Sequence, residues 1–204
     1  MNLDDLKDTG FENFEVLLDS FMQEGIAKEI PIIKTVIALF ITSKSIKDYL
    51  FVRKLCAFLN STKYIAKYKI DKFKIKLESE NTKKEVGVKI LQIIERLDEL
   101  RKAQLLGSIF KLLIKEKIDK PIFFRLSYLI DKCFYDDLME LKHFEGDKII
   151  LQNNDIISSA ILENLQSNGF LSNNGFDGGN FSDDSNNGTR FGMNQYSKII
   201  IKVL

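Results

Sequence analysis

Apolar residues at helical spacing over residues 86–115 constrain the fold of this chain more than any other feature of its sequence. Similar stripes occur over residues 11–23, 33–59 and 122–144, and such spacing is typical of amphipathic helices. Each stripe has to be buried against another element. The sequence therefore predicts a mainly α fold, a helical bundle of about five to six helices. The stripe within residues 86–115 begins with Val88, Leu91, Ile94, Leu97 and Leu100.

The residues between and within the stripes indicate where helices begin, continue or end. Pro121 stands at a helix start, and Asp98 and Lys102 have the i,i+4 spacing that supports a continuous helix through residues 86–115. Over residues 65–77, apolar residues and lysines alternate loosely, which fits a strand, a lysine-rich helix or a linker. The secondary structure of that segment therefore stays open at this point.

A different pattern begins after Gly146. A short strand over residues 148–151 precedes a helix that we expect Asp155 to cap and Gly169 to end. A segment dominated by Asn, Ser, Asp and Gly follows, and apolar periodicity then returns over residues 191–204. This order of elements resembles the recognition helix and wing of a winged-helix module.

Length and pattern together predict two domains. A chain of 204 residues is long enough for a helical domain with a small appended module. We expect the helical bundle over residues 1–145 and a winged-helix-like α+β module over residues 146–204. Within that module, residues 172–190 are predicted to form a long polar loop.

The residue types that enzymes use occur here without a catalytic arrangement. His143 is the only histidine, and Cys56 and Cys133 lie far apart in apolar helical patterns, so neither a zinc site nor a nucleophile with its base is indicated. An enzyme hypothesis would have to use Asp136 and Asp137 as acid and base groups that meet others in a cleft. The sequence predicts no catalytic, cofactor-binding or metal site, and hence a protein that is not an enzyme.

Charge is distributed unevenly along the chain although the net charge is only +1. Ten basic residues lie within residues 44–76 against two aspartates, whereas acidic residues outnumber basic ones from residue 145 onward. Basic side chains interleaved with aromatic ones fit either a solvated lysine-rich face or a surface that contacts anionic groups. The candidate partner or anion surface consists of Lys47, Arg53, Lys54, Lys63 and Lys67.

An apolar run over residues 30–42 precedes this basic segment. It contains Pro31 and Lys34 and is shorter than the roughly 20 residues that a membrane-spanning helix needs. It fits either a buried helix of the bundle or a helix that inserts shallowly while the basic segment holds anionic lipid. The candidate membrane-contact residues are Ile33, Val36, Ile37 and Phe40.

Several segments resemble a family of bacterial proteins found in prophages and mobile islands, whose biochemistry is uncharacterised. They are IPII at residues 30–33, IKDYLFVRKL at 46–55, ERLD at 95–98, KAQLLG at 102–107 and FRLSYLID at 124–131. The resemblance covers most of the chain and implies a bacterial cytoplasmic setting and a role in phage defence or prophage biology. It implies no catalytic residues.

Taken together, these features predict a non-enzymatic helical protein that acts through protein–protein interaction or self-association, without a cofactor. The acidic, polar N-terminus lacks the chemistry of a signal peptide, so we expect a cytoplasmic protein. Two alternatives stay open. One is a membrane-active effector that associates peripherally with an anionic membrane surface, and the other is a winged-helix protein that binds nucleic acid.

Overall fold

The computed structural model describes residues 46–77, 80–152, 156–178 and 188–204. Contacts divide the chain into two compact units, Met1–Ile118 and Asp119–Leu204. The described residues are mainly helical, with a small three-stranded antiparallel sheet near the C-terminus. The predicted mainly α fold with a small α+β module is therefore confirmed. The predicted domain boundary after residue 145 falls inside the second unit.

Four helices form the described part of the first unit. They are α1 (Ile46–Ser61), α2 (Lys67–Lys76), α3 (Glu80–Arg96) and α4 (Leu100–Ile114). Helix α1 packs against α3 and α4, and α2 packs against α4. The open segment around residues 65–77 is thus a lysine-rich helix, because Ile70, Phe73 and Leu77 recur at helical spacing and are buried.

Aromatic rings and a close helix crossing hold this unit together. The ring centroid of Phe110 lies 5.4 Å from that of Phe58 and 5.8 Å from that of Phe73. Gly107 of α4 faces α1, and a Cβ atom there would overlap the carbonyl oxygen of Phe58 and lie 2.8 Å from the Cβ of Ser61. The absence of a side chain at Gly107 therefore allows α1 and α4 to approach closely.

The prediction of one continuous helix over residues 86–115 is wrong, because the helix ends at Arg96 and a new one begins at Leu100. The ammonium group of Lys54 donates 2.6 Å hydrogen bonds to the carbonyl oxygens of Glu95 and Leu97. These carbonyls would accept backbone N–H groups if the helix continued. The predicted Asp98–Lys102 ion pair does form, at 2.8 Å, but it spans the start of α4.

The second unit begins with α5 (Lys120–Lys132) and α6 (Tyr135–Met139), followed by a 3-10 helix over Glu140–Asp147. The side chain of Asp119 accepts a 2.8 Å hydrogen bond from the backbone N–H of Ile122, and Pro121 stands in the first turn of α5. The predicted helix start is therefore confirmed. The apolar stripe over residues 122–144 is divided among these helices, because Cys133 and Phe134 have extended backbones.

A sheet and two helices complete the second unit. They are β1 (Ile150–Leu151), α7 (Ser159–Ser167), β2 (Leu171–Asp177), β3 (Gly188–Met193) and α8 (Gln195–Ile200). The antiparallel sheet has the order β1-β3-β2, with Ile150 opposite Phe191 and Leu171 opposite Met193. The predicted short strand over residues 148–151 is present as β1, and the predicted helix after it is present as α7.

Two local predictions in this unit need correction. The N-cap of α7 is Ser158 rather than Asp155, which lies outside the described residues. Part of the predicted loop over residues 172–190 is strand, because residues 172–177 belong to β2 and residues 188–190 to β3. Strand pairing uses backbone groups and does not require apolar side chains along the strand. The buried side chains of Leu171 and Phe191 anchor this hairpin.

Asparagine side chains position the elements next to the hairpin. Asn194 caps α8 by accepting hydrogen bonds from the backbone N–H groups of Tyr196 and Ser197, and its Nδ2 donates to the carbonyl oxygen of Gly169 at 2.8 Å. Gly169 has a φ of +80°, which ends α7 as predicted. A single side chain thus ties the end of α7 to the start of α8.

Candidate interaction surface

The outward side of α2 and the turn before it carry large exposed side chains. Tyr64, Tyr68 and Ile75 are 95%, 66% and 79% exposed. They accompany lysines on the side of the helix opposite its buried residues. We call this set the α2 surface, which consists of Tyr64, Lys67, Tyr68, Lys72, Ile75 and Lys76.

The turn between α1 and α2 holds Tyr64 away from the core. Its φ is +63°, a left-handed conformation that bulky residues rarely adopt. The chain just before it is fixed by hydrogen bonds from the backbone N–H of Thr62 to Leu59 and from the ammonium of Lys111 to the carbonyl oxygen of Lys63, at 3.0 and 2.8 Å. An exposed aromatic residue in a strained backbone position is a reason to look for function there.

One carboxylate bridges two lysines of the α2 surface. Lys72 Nζ lies 2.6 Å from Glu116 Oε2, and Lys76 Nζ lies 3.3 Å from Glu116 Oε1. Hydrogen bonds from Lys72 and then from Lys76 lower the pKa of Glu116 below its ordinary value. The two lysines stand one helical turn apart, so this pair provides a place where a carboxylate binds.

Positive charges outnumber negative ones around the α2 surface, even with Glu116 counted. Six lysines and one aspartate occur over residues 63–77, and Lys111, Lys115 and Lys117 lie at or just after the end of α4. Burial, together with the neighbouring charge of Lys115, lowers the pKa of Lys111. The surface thus combines apolar side chains with charges that attract anionic groups.

The structure distributes the five lysine and arginine residues proposed from the sequence among different positions. Lys47 lies in α1, and the exposed guanidinium of Arg53 lies 5.8 Å from the centroid of the Tyr49 ring. Lys54 binds the carbonyl groups at the end of α3, and burial lowers its pKa. Lys63 precedes Tyr64 in the turn, and Lys67 begins α2, so these two are the ones at or next to the α2 surface.

Sequence reasoning missed the contribution of α4 to this surface. Glu116 is 44 positions from Lys72 and 40 from Lys76, and a sequence pattern does not show which distant charges meet. The run Lys115-Glu116-Lys117 was visible as a charged helix end. Only the packing of α2 against α4 brings Glu116 of this run into contact with Lys72 and Lys76.

The candidate membrane-contact residues Ile33, Val36, Ile37 and Phe40 lie outside the described residues. Among the helices of the described ranges, none is long and apolar enough to cross a membrane.

The residues considered for catalysis participate in structural contacts. Asp137 accepts a hydrogen bond from the side chain of Asn164, and His143 Nε2 lies 3.3 Å from Glu140 in an exposed position. Burial raises the pKa of Cys56 to about 12, which disfavours its reactive thiolate. Within the part of the chain that the structure describes, no three His, Cys, Asp or Glu residues are grouped as metal ligands.

Comparisons with protein-family models, curated proteins and solved structures find no match to this chain. The resemblance to prophage-associated proteins stays a prediction. Function therefore has to be argued from the α2 surface itself.

Proposed function

We propose that this chain is a non-enzymatic protein that acts through protein–protein interaction, with the α2 surface as the docking face for an acidic partner. The observation that carries the proposal is the exposure of Tyr64, Tyr68 and Ile75 among lysines. Exposed single apolar residues are common on proteins. Three large exposed residues on one short helix and the turn before it are a stronger indication of an interface than a single exposed residue.

The chemistry of this surface matches the anatomy of protein interfaces. Tyrosines are enriched among the residues that dominate binding energy. The rim of an interface is polar and solvent-accessible, which suits the lysines, and charge complementarity steers the encounter and selects partners. An acidic protein surface that also offers apolar side chains would satisfy both parts. In the bacterial setting that the family resemblance implies, such a partner would belong to phage defence or prophage biology.

The composition of α7 does not favour nucleic-acid binding through the winged-helix-like module. Residues of α7 include Glu163 and no lysine or arginine. Recognition helices that enter a nucleic-acid groove carry basic residues for phosphate contacts. A protein-docking role suits this module better.

Replacing Ile75 by aspartate tests the proposal. The tagged full chain is purified from its native host, and its oligomeric state is measured by sedimentation at micromolar concentration. We expect an acidic protein to co-purify with the wild type and to be lost from Ile75→Asp, because the new charge removes apolar contact and repels an acidic partner.

Ile149→Asp is the matched control, since Ile149 is 50% exposed in the second unit. This control should retain the partner. The proposal would be contradicted if the wild type were strictly monomeric and no co-purifying protein were lost in Ile75→Asp. Equal loss of the partner in both variants would also contradict it.

A further inference from the structure

The contact of Glu116 with Lys72 and Lys76 contributes little to holding α2 in place. All three side chains are at least partly exposed, and exposed ion pairs generally add little to stability. The buried ring of Phe73 packs edge-on against Phe110 and supplies the apolar contact between α2 and α4. Glu116 also has a φ of +57°, which an L residue adopts at some cost. A role other than packing is therefore worth seeking.

Ile75 stands between the two bridged lysines in the sequence and is itself exposed. Lys72 lies three residues before Ile75 and four before Lys76, so all three lie toward one side of α2. Glu116 reaches both ammonium ions and leaves Ile75 exposed, whereas a ligand larger than one carboxylate has room to cover the isoleucine as well. A nucleic-acid strand has phosphates for the lysines but no aliphatic side chain for Ile75. A peptide with carboxylates flanking an apolar residue has both.

We infer that Glu116 is an intramolecular substitute for a carboxylate of the partner, and that the partner segment is an acidic peptide that also carries apolar residues. This inference rests on the proposed function of the α2 surface. In the free protein Glu116 occupies the lysine pair. In the complex a partner carboxylate replaces it, so the exchange of one carboxylate for another contributes little net affinity.

The consequence of such an exchange is selectivity. A polyanion without apolar groups has to displace Glu116 and obtains no further contact. A peptide that also covers Ile75 and Tyr68 obtains apolar burial in addition. Competition from Glu116 thus weakens the binding of ligands that offer charge alone. The apolar residues then determine which anionic partner binds.

The test measures binding of three fluorescent probes to the full chain: a peptide of Glu and Leu at helical spacing, a peptide of equal charge in which Ser replaces Leu, and single-stranded oligothymidylate. We expect the wild type to bind the Glu/Leu peptide most tightly. Glu116→Gln should tighten binding of the Glu/Ser peptide by about twofold to fivefold, because the competing carboxylate is gone. Ile75→Ser should reduce the preference for leucine, and Tyr68 should account for what is left.

Asp71→Asn is the matched control, because it removes one negative charge from α2, which carries the bridged lysines. Asp71 contacts Lys74, at 3.6 Å, rather than the bridged pair. Its effect should be smaller than that of Glu116→Gln. Equal effects would show that Glu116 acts only through bulk charge and would overturn the inference while leaving the docking function intact. Tighter binding of oligothymidylate, or no binding of either peptide, would overturn the docking function as well. Circular dichroism of all variants checks that they fold.

Discussion

Polar residues have different roles in the two units. The first unit is described over residues 46–77 and 80–118, and the second is Asp119–Leu204. In the first unit Lys54 and Lys111 donate to backbone carbonyl oxygens, but several lysines of α2 are exposed. The interior of this unit is held by contacts such as those of Phe110. In the second unit, asparagines supply internal hydrogen bonds, as Asn194 does to Gly169. Exposed lysines on α2 therefore belong to the proposed docking face, whereas the asparagine of the second unit ties two of its elements together.

The largest effect that tests this comparison is expected from Phe110→Ala. We expect a loss of about 4 kcal/mol in the free energy of unfolding, because the change leaves a cavity between Phe58 and Phe73. Urea denaturation followed by circular dichroism measures the loss. Phe176→Ala, at a side chain 74% exposed in β2, should change stability by less than about 0.5 kcal/mol. A comparable loss there would mean that the hairpin depends on apolar burial after all.

An intermediate effect should separate lysines that support the fold from those of the α2 surface. Lys54→Met removes two hydrogen bonds to the carbonyl groups at the end of α3, and we expect it to lower the free energy of unfolding by about 1–2 kcal/mol. Lys72→Met removes only a contact with the exposed Glu116 and should leave stability unchanged. Urea unfolding midpoints compare the two variants. If Lys72→Met destabilises the chain as much as Lys54→Met does, the α2 lysines belong to the fold rather than to a binding face.

The smallest effect is expected at the polar tie of the second unit. Asn194→Ala removes the cap of α8 and should cost about 1 kcal/mol. Asn194→Asp keeps an acceptor for the N–H groups of Tyr196 and Ser197 but loses the donor to Gly169, so its cost should be lower. Thermal unfolding distinguishes the two changes. No loss of stability in either variant would contradict the role assigned to the asparagine.

Patterns within one element were the predictable part of the fold. The start of α5 at Asp119 and Pro121 and the end of α7 at Gly169 follow from capping and turn preferences, which depend on neighbours in the sequence. The break between α3 and α4 was not predictable in this way. The Asp98–Lys102 spacing is compatible both with a continuous helix and with an ion pair across the start of a new helix, which is what forms. The decisive contact comes from Lys54 on another helix.

The candidate site was predictable to the same extent. The accumulation of lysines and tyrosines before residue 77 was evident as composition, but the roles of its members were not. Lys54 binds helix-end carbonyl groups, and Lys72 and Lys76 hold Glu116. Residue type alone does not distinguish these roles, because each depends on which backbone or side-chain group lies within hydrogen-bond distance.

The sequence by itself determined the helical class of this protein, the positions of several helix ends and the excess of positive charge near α2, since periodicity, capping and charge are properties of neighbouring residues. The tertiary structure alone decided that α3 ends before Leu97, that a polar segment forms β2, and that Glu116 meets Lys72 and Lys76. These outcomes depend on contacts between residues distant in the chain. They arise when apolar faces pack and bring unpaired polar groups together.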